Sequence, residues 1–167
     1  MKSSSSRKIA RILKVLVTVT FFCNLVALPL VPGLVHRTLL PRRIGAWSVW
    51  DDSYAVVLIL FLLFCGCCTA VVLWQGRRVL ATILRGEPFS AENAVSLKRA
   101  AVCAFCISGA ALARLLWGFW FYSSLRPIAT YNALFVPIFA MAGLLCLVMS
   151  ALFRQAAEIK AENDLTI

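Results

Sequence analysis

The sequence predicts an all-α integral membrane protein: a four-transmembrane-helix bundle with an extended cytoplasmic helical hairpin between helices 2 and 3. Three observations carry that expectation. Of 167 residues, 62% are hydrophobic and the mean hydropathy is +0.88, whereas soluble domains run nearer half apolar. Four apolar runs, at approximately 12–35, 54–74, 100–122 and 133–153, approach or exceed the roughly 20 residues a helix needs to cross about 30 Å of hydrocarbon. None of these runs shows the period-two alternation of a membrane strand, and a helix satisfies its own backbone hydrogen bonds in lipid. Residues 1–167 therefore read as a single membrane domain.

The first run follows MKSSSSRKIARILK and has the basic start of a secretory signal. Its apolar stretch is too long for one, and CNLVALPLVPG offers no small-x-small cleavage site, so an uncleaved first helix is expected. Pro29, Pro32 and Gly33 should bend or end it. The second helix has Asp51, Asp52 and Ser53 at its start, where side-chain oxygens cap free backbone N–H groups.

Orientation follows from the basic residues. Lys2, Arg7, Lys8, Arg11 and Lys14, then Arg77, Arg78, Arg85, Lys98 and Arg99, then Arg154 and Lys160 fall on one side. Arg37, Arg42, Arg43 and Arg126 fall on the other. The positive-inside rule puts both termini and the central loop in the cytoplasm. Trp47, Trp50 and Tyr54, with Trp117, Trp120 and Tyr122, then form an aromatic belt at the outer interface. The net charge of +10 does not point to direct nucleic-acid binding, because the cations sit in short clusters between apolar runs and form no continuous soluble face.

The hairpin, 75–99, contains the most turn-rich stretch of the middle of the chain, GEPFSAEN at 86–93. Ahead of it, Val79, Leu80, Ile83 and Leu84 share one helical face, so the second helix should continue beyond the membrane surface. Gly86 can adopt the left-handed conformation that closes a helix, Arg85 suits the negative end of the dipole, and Pro88 stops propagation. Ser90 is the expected N-cap of the third helix, Glu92 lies in its first turn, and Phe89 can act as a hydrophobic staple against Ala94. Asn93 occupies the position where a Glu would complete a capping box, and it serves either the turn or an outside partner.

The stretch LRGEPFSAENAVSLKR, set between the second and third of four spans, resembles the signature of a bacterial membrane family catalogued as domain of unknown function 2975. The similarity rests on Gly86, Pro88, Phe89, Ser90 and Asn93, and the four-span layout extends it over most of the chain. The resemblance implies a multi-pass protein of the bacterial inner membrane. It implies no known activity. Members are often encoded beside a small Cro/CI-like helix-turn-helix regulator, which implies such a regulator as a cytoplasmic partner.

Cys65-x-x-Cys68 and Cys103-x-x-Cys106 fall at similar depth if the second and third helices fold back on each other. Four thiolates there could bind a metal or exchange disulfides. Mid-helix positions lack the turn that aims two sulfurs at one ion, and burial favours the unreactive thiol, so packing explains them better. All seven cysteines lie in apolar runs, which implies no disulfide framework. Arg114 is the only formal charge well inside a span, and an intramembrane charge is a functional candidate by default. It reads either as a tether to Asp51 or Asp52, with Asn24 as a further acceptor, or as an anion-, lipid- or ligand-binding group.

No span contains Asp or Glu, which weakens proton-coupled export and carboxylate-lined cation conduction. His36, the sole histidine, reads as ordinary surface, and Gly109, Ala110 and Ala113 form a small-residue patch suited to close packing within a bundle or a homo-oligomer. No phosphate loop, nucleophile elbow or carboxylate pair appears. The leading expectation is a non-catalytic protein, without cofactor or metal, that contacts membrane lipids and binds a partner through its basic hairpin. A small transporter or ligand-binding protein using Arg114 is the alternative. Thiol redox or metal chemistry ranks last.

Overall fold

A computed structural model describes residues 2–39, 53–87, 89–122 and 132–165. Four long helices account for nearly all of them: α1 (Lys2–Leu39), α2 (Ser53–Arg85), α3 (Ala91–Tyr122) and α4 (Asn132–Leu165). Each is long and apolar enough to cross a membrane. At 1.5 Å per residue the 33 residues of α2 extend about 50 Å, well beyond a hydrocarbon core. A tight turn follows Arg85, and α3 runs back alongside α2.

The helices pack in chain order, α1 on α2, α2 on α3 and α3 on α4. Consecutive helices run antiparallel. Phe21 meets Trp74 near one end of the α1–α2 pair, with ring centroids 5.7 Å apart, and Val35, Ala55 and Ile59 form a small buried cluster at the other. Helix α3 is therefore flanked on both sides, while α1 lies at an edge.

The first and last helices both run beyond their apolar stretches, so Pro29 and Pro32 do not end the first. Pro29 and Pro32 lie inside α1, which continues through both to Leu39. Each proline removes one backbone donor, but the neighbouring turns keep theirs. The last helix likewise runs past the apolar stretch to Leu165, aided by the exposed i,i+4 pair Arg154–Glu158 at 3.0 Å.

Hydroxyls within the apolar runs are satisfied locally. Thr18 donates to the Lys14 carbonyl, Thr20 to Leu16 and Thr69 to Cys65, each one turn back. The best-packed seam joins α3 to α4. Ala94, Ala101 and Ser108 are buried at heptad spacing on α3, and small side chains let the two backbones approach. Ser108 donates to the Val136 carbonyl at 2.8 Å, and Ser150 of α4 donates to the Ala94 carbonyl at 2.7 Å. Opposite them Gly143 faces the Phe105 ring so closely that a Cβ there would lie 3.0 Å from its carbons.

Candidate functional site

The α2–α3 hairpin is closed by a complete set of local hydrogen bonds. Gly86 has φ +90°, a left-handed conformation that costs a residue without Cβ little. The Gly86 N–H donates to the Ile83 carbonyl and the Glu87 N–H to the Thr82 carbonyl, both at 3.1 Å. This 5→2 and 6→1 pair is a Schellman motif, and it satisfies carbonyls that a helix end leaves free. Across the turn, Ser90 caps α3 by accepting from the Asn93 N–H at its hydroxyl (3.4 Å) and its carbonyl (3.0 Å). Pro88 lies outside the described residues.

Asn93 is 1% exposed, the largest fully buried side chain described. The Thr82 hydroxyl donates to its Oδ1 at 2.6 Å and lies 2.7 Å from the Val79 carbonyl. One hydroxyl carries one proton, so it serves one of these acceptors at a time. The bond joins the last turn of α2 to the first turn of α3 from inside. A buried hydrogen bond of this type is worth about 1 kcal/mol net and more when one partner is deleted. Thr82 had no part in the motif read from sequence. The available signal was a hydroxyl residue one turn before the closing glycine, yet only the folded turn brings it to Asn93.

Phe89 points the other way. It is 51% exposed, and its ring meets Phe153 of α4 edge-on at 5.5 Å between centroids, a favourable aromatic geometry. The tip is thus fastened to three helices: α2 through Thr82, α3 through Asn93 and α4 through Phe153. Arg78 and Arg85 of α2 and Lys98 and Arg99 of α3 are exposed.

Arg114 and Asn24 are not brought together. The half-buried Arg114 guanidinium donates to the Tyr54 hydroxyl at 3.3 Å and lies 5.7 Å and 5.0 Å from the Tyr54 and Phe61 ring centroids. Hydrogen bonding and cation–π attraction from α2 thus hold it. Asn24 packs at the level where Phe21 meets Trp74 and Leu28 meets Gly66, about two turns further along α2 than Phe61. Its buried Oδ1 has no hydrogen-bond partner, and neither does Gln75 Oε1. Asp51 and Asp52, the acceptors expected for Arg114, lie outside the described residues, as do Trp47, Trp50 and the side chain of Tyr122.

The seven cysteines are free. Cys68 lies within electrostatic reach of Cys103 and Cys106 across the α2–α3 seam, as the matched CxxC spacing suggested. Among the described residues, no three Cys, His, Asp or Glu side chains converge as a metal set. Gly109 and Ala113 face outward with nothing within 4 Å of a Cβ at Gly109. The small residues that pack inside are Ala101, Ala104 and Ala111.

Comparison with known families agrees with the motif. A family model described as a protein of unknown function (DUF2975) matches residues 44–167, which takes in α2, α3, α4 and the whole hairpin. No curated protein and no solved structure matches the chain. The chain belongs to the DUF2975 family.

Proposed function

We propose that the chain is a non-catalytic multi-pass protein of a bacterial inner membrane, with both termini and the α2–α3 turn in the cytoplasm, and that its basic hairpin docks a cytoplasmic partner. A helix-turn-helix regulator is the partner we propose. One observation carries this reading: the hairpin tip is locked from inside by the Thr82–Asn93 bond while Phe89 at the turn stays half exposed and the flanking helices carry the exposed cations Arg85, Lys98 and Arg99. An exposed aromatic on a preorganised turn loses little entropy on binding, and surrounding cations steer an acidic partner. In this reading Asn93 shapes the tip and Phe89 makes the contact.

A photoreactive residue at position 89, used in intact cells, should capture a helix-turn-helix protein. Replacing Arg85, Lys98 and Arg99 together by Glu should abolish capture while the chain stays in the membrane fraction. Capture that survives the charge reversal, or crosslinks to lipid alone, would overturn the reading. We read Arg114 as a tether of α3 to α2, supported by its Tyr54 and Phe61 contacts. A solute flux in proteoliposomes that disappears in Arg114→Ala would argue instead for transport.

A further inference from the structure

Near the turn end of the molecule, Lys14 of α1 and Trp74, Arg77, Arg78 and Ala81 of α2 line an open cleft of about 210 Å³. Its cations come from two helices. Among the described residues no carboxylate pairs with them, the one described ion pair being Arg154–Glu158 on α4. Three like charges gathered without a counterion repel one another, and an anion between them removes that repulsion.

Arg77 is held in place for such a role. Its guanidinium carbon lies 5.2 Å from the Trp74 ring centroid and 5.8 Å from that of Phe21, and the two rings contact each other. Stacking on two aromatic groups fixes the planar fork before any ligand arrives. The opening is flanked by apolar surface. Val71, on the same side of α2 as Trp74 and Arg78, is exposed, and Trp74 itself is half exposed.

Position along the chain narrows the identity of the anion. Lys14 lies in the first turn of the apolar run of α1, with no further charge until Arg37, and Arg77 is the first charge after the run of α2. In a chain that spans a membrane, both lie where the hydrocarbon meets the headgroups. The anion found at that depth is a phospholipid phosphate, and its acyl chains can follow Trp74 and Val71. The cleft is smaller than the roughly 300 Å³ at which pockets for drug-sized ligands begin, which suits a headgroup phosphate entering from the side.

We propose that the α1–α2 cleft binds the phosphate of an anionic phospholipid, with Lys14, Arg77 and Arg78 on its oxygens and Trp74 against its glycerol and upper chain. The proposal rests on the membrane reading above and is independent of the partner-docking one. The test uses the full chain in nanodiscs of phosphatidylcholine and phosphatidylglycerol, with retained lipid read by native mass spectrometry. Phosphatidylglycerol should be retained selectively. Its affinity should fall roughly fivefold for each cation removed in Lys14→Gln/Arg78→Gln, which keeps most of both stems, and should survive in the charge-preserving Lys14→Arg/Arg78→Lys.

Arg85→Gln/Lys98→Gln removes the same charge from the hairpin tip and should leave retention unchanged. Equal loss in the two neutralised pairs, loss in the charge-preserving pair, or equal retention of phosphatidylcholine would overturn the site. Displacement of the lipid by millimolar inorganic phosphate would assign the cleft to a soluble phosphate and overturn it as well. Release of the chain from membranes by alkaline carbonate would sink the membrane reading first. An embedded chain that retains no phosphatidylglycerol would sink this site alone.

Discussion

Helices α2, α3 and α4 are joined differently from α1. Between described helices, side-chain hydrogen bonds cross within the three-helix unit: Thr82 to Asn93, Arg114 to Tyr54, Ser108 to Val136 and Ser150 to Ala94. Helix α1 meets α2 through apolar and aromatic contacts such as Leu28 against Gly66 and Phe21 against Trp74. The most apolar window is 33% buried in α3, against 6% in α2 and α4 and none in α1, so α3 is the central helix. The family match, residues 44–167, covers the hydrogen-bonded unit and begins beyond α1. In lipid, apolar surface gains little by leaving one apolar surrounding for another, so close packing and polar bonds decide which helices hold together. By that standard side-chain hydrogen bonds tie α2, α3 and α4 together, while α1 packs on α2 as extensively as α3 does but through apolar and aromatic contacts, and it shapes the cleft around Lys14 and Arg77.

The strongest way to break this comparison is to force the α3–α4 seam apart. Gly143→Val places methyl groups where the Phe105 ring already leaves only 3.0 Å for a Cβ, and should cost about 3 kcal/mol in an SDS unfolding titration from mixed micelles. Asn93→Ala comes next, at about 2 kcal/mol by the same titration, because it empties a fully buried site and removes the partner of Thr82. A stability equal to wild type would show that the hairpin is held by its backbone caps alone.

Smaller effects sharpen the picture. Ser108→Ala and Ser150→Ala each delete one interhelical hydroxyl bond and should cost about 0.6 kcal/mol apiece, the usual value for such bonds in membrane bundles, measured as single and double variants in one titration. Gly66→Ala in the α1–α2 contact should cost less than about 1 kcal/mol, although a Cβ would come within 2.6 Å of Leu28 Cδ2, because that atom is the movable tip of a side chain. If Gly66→Ala proves as costly as Gly143→Val, the apolar α1–α2 contact is as demanding as the α3–α4 seam. Gly109→Ala, with no atom within 4 Å, should leave monomer stability unchanged, and a shift in its sedimentation profile would reveal a packing partner outside the chain.

Much of this fold was legible in the order of residues. Helix count, approximate spans and the turn at GEPFSAEN follow from local rules. Hydrophobic runs of sufficient length read as spans, Gly86 closes α2 and Ser90 opens α3. Of the two outcomes expected at Pro29 and Pro32, a bend or an end, the end does not occur, since proline removes its own donor but does not prevent the turns around it from forming. Of the small-residue patch Gly109, Ala110 and Ala113, Gly109 and Ala113 are exposed and Ala110 is partly buried, which leaves packing between subunits open, while the stripe that packs within the chain is Ala94, Ala101 and Ser108. Several faces of α3 carry small residues, so composition alone could not choose among them.

By itself, then, the sequence determined which segments are helices, where they turn and which residues shape the hairpin, because capping and hydrophobic length act within a few neighbouring residues. Tertiary structure alone decided where the side chains of that motif go: Asn93 inward to Thr82, Phe89 across to Phe153, Arg114 onto Tyr54 and Phe61 and away from Asn24. Those pairings depend on the rotation and offset of one long helix against another. A shift of a single residue turns a side chain by about 100°, as 3.6 residues per turn requires, and local sequence rules do not fix that choice.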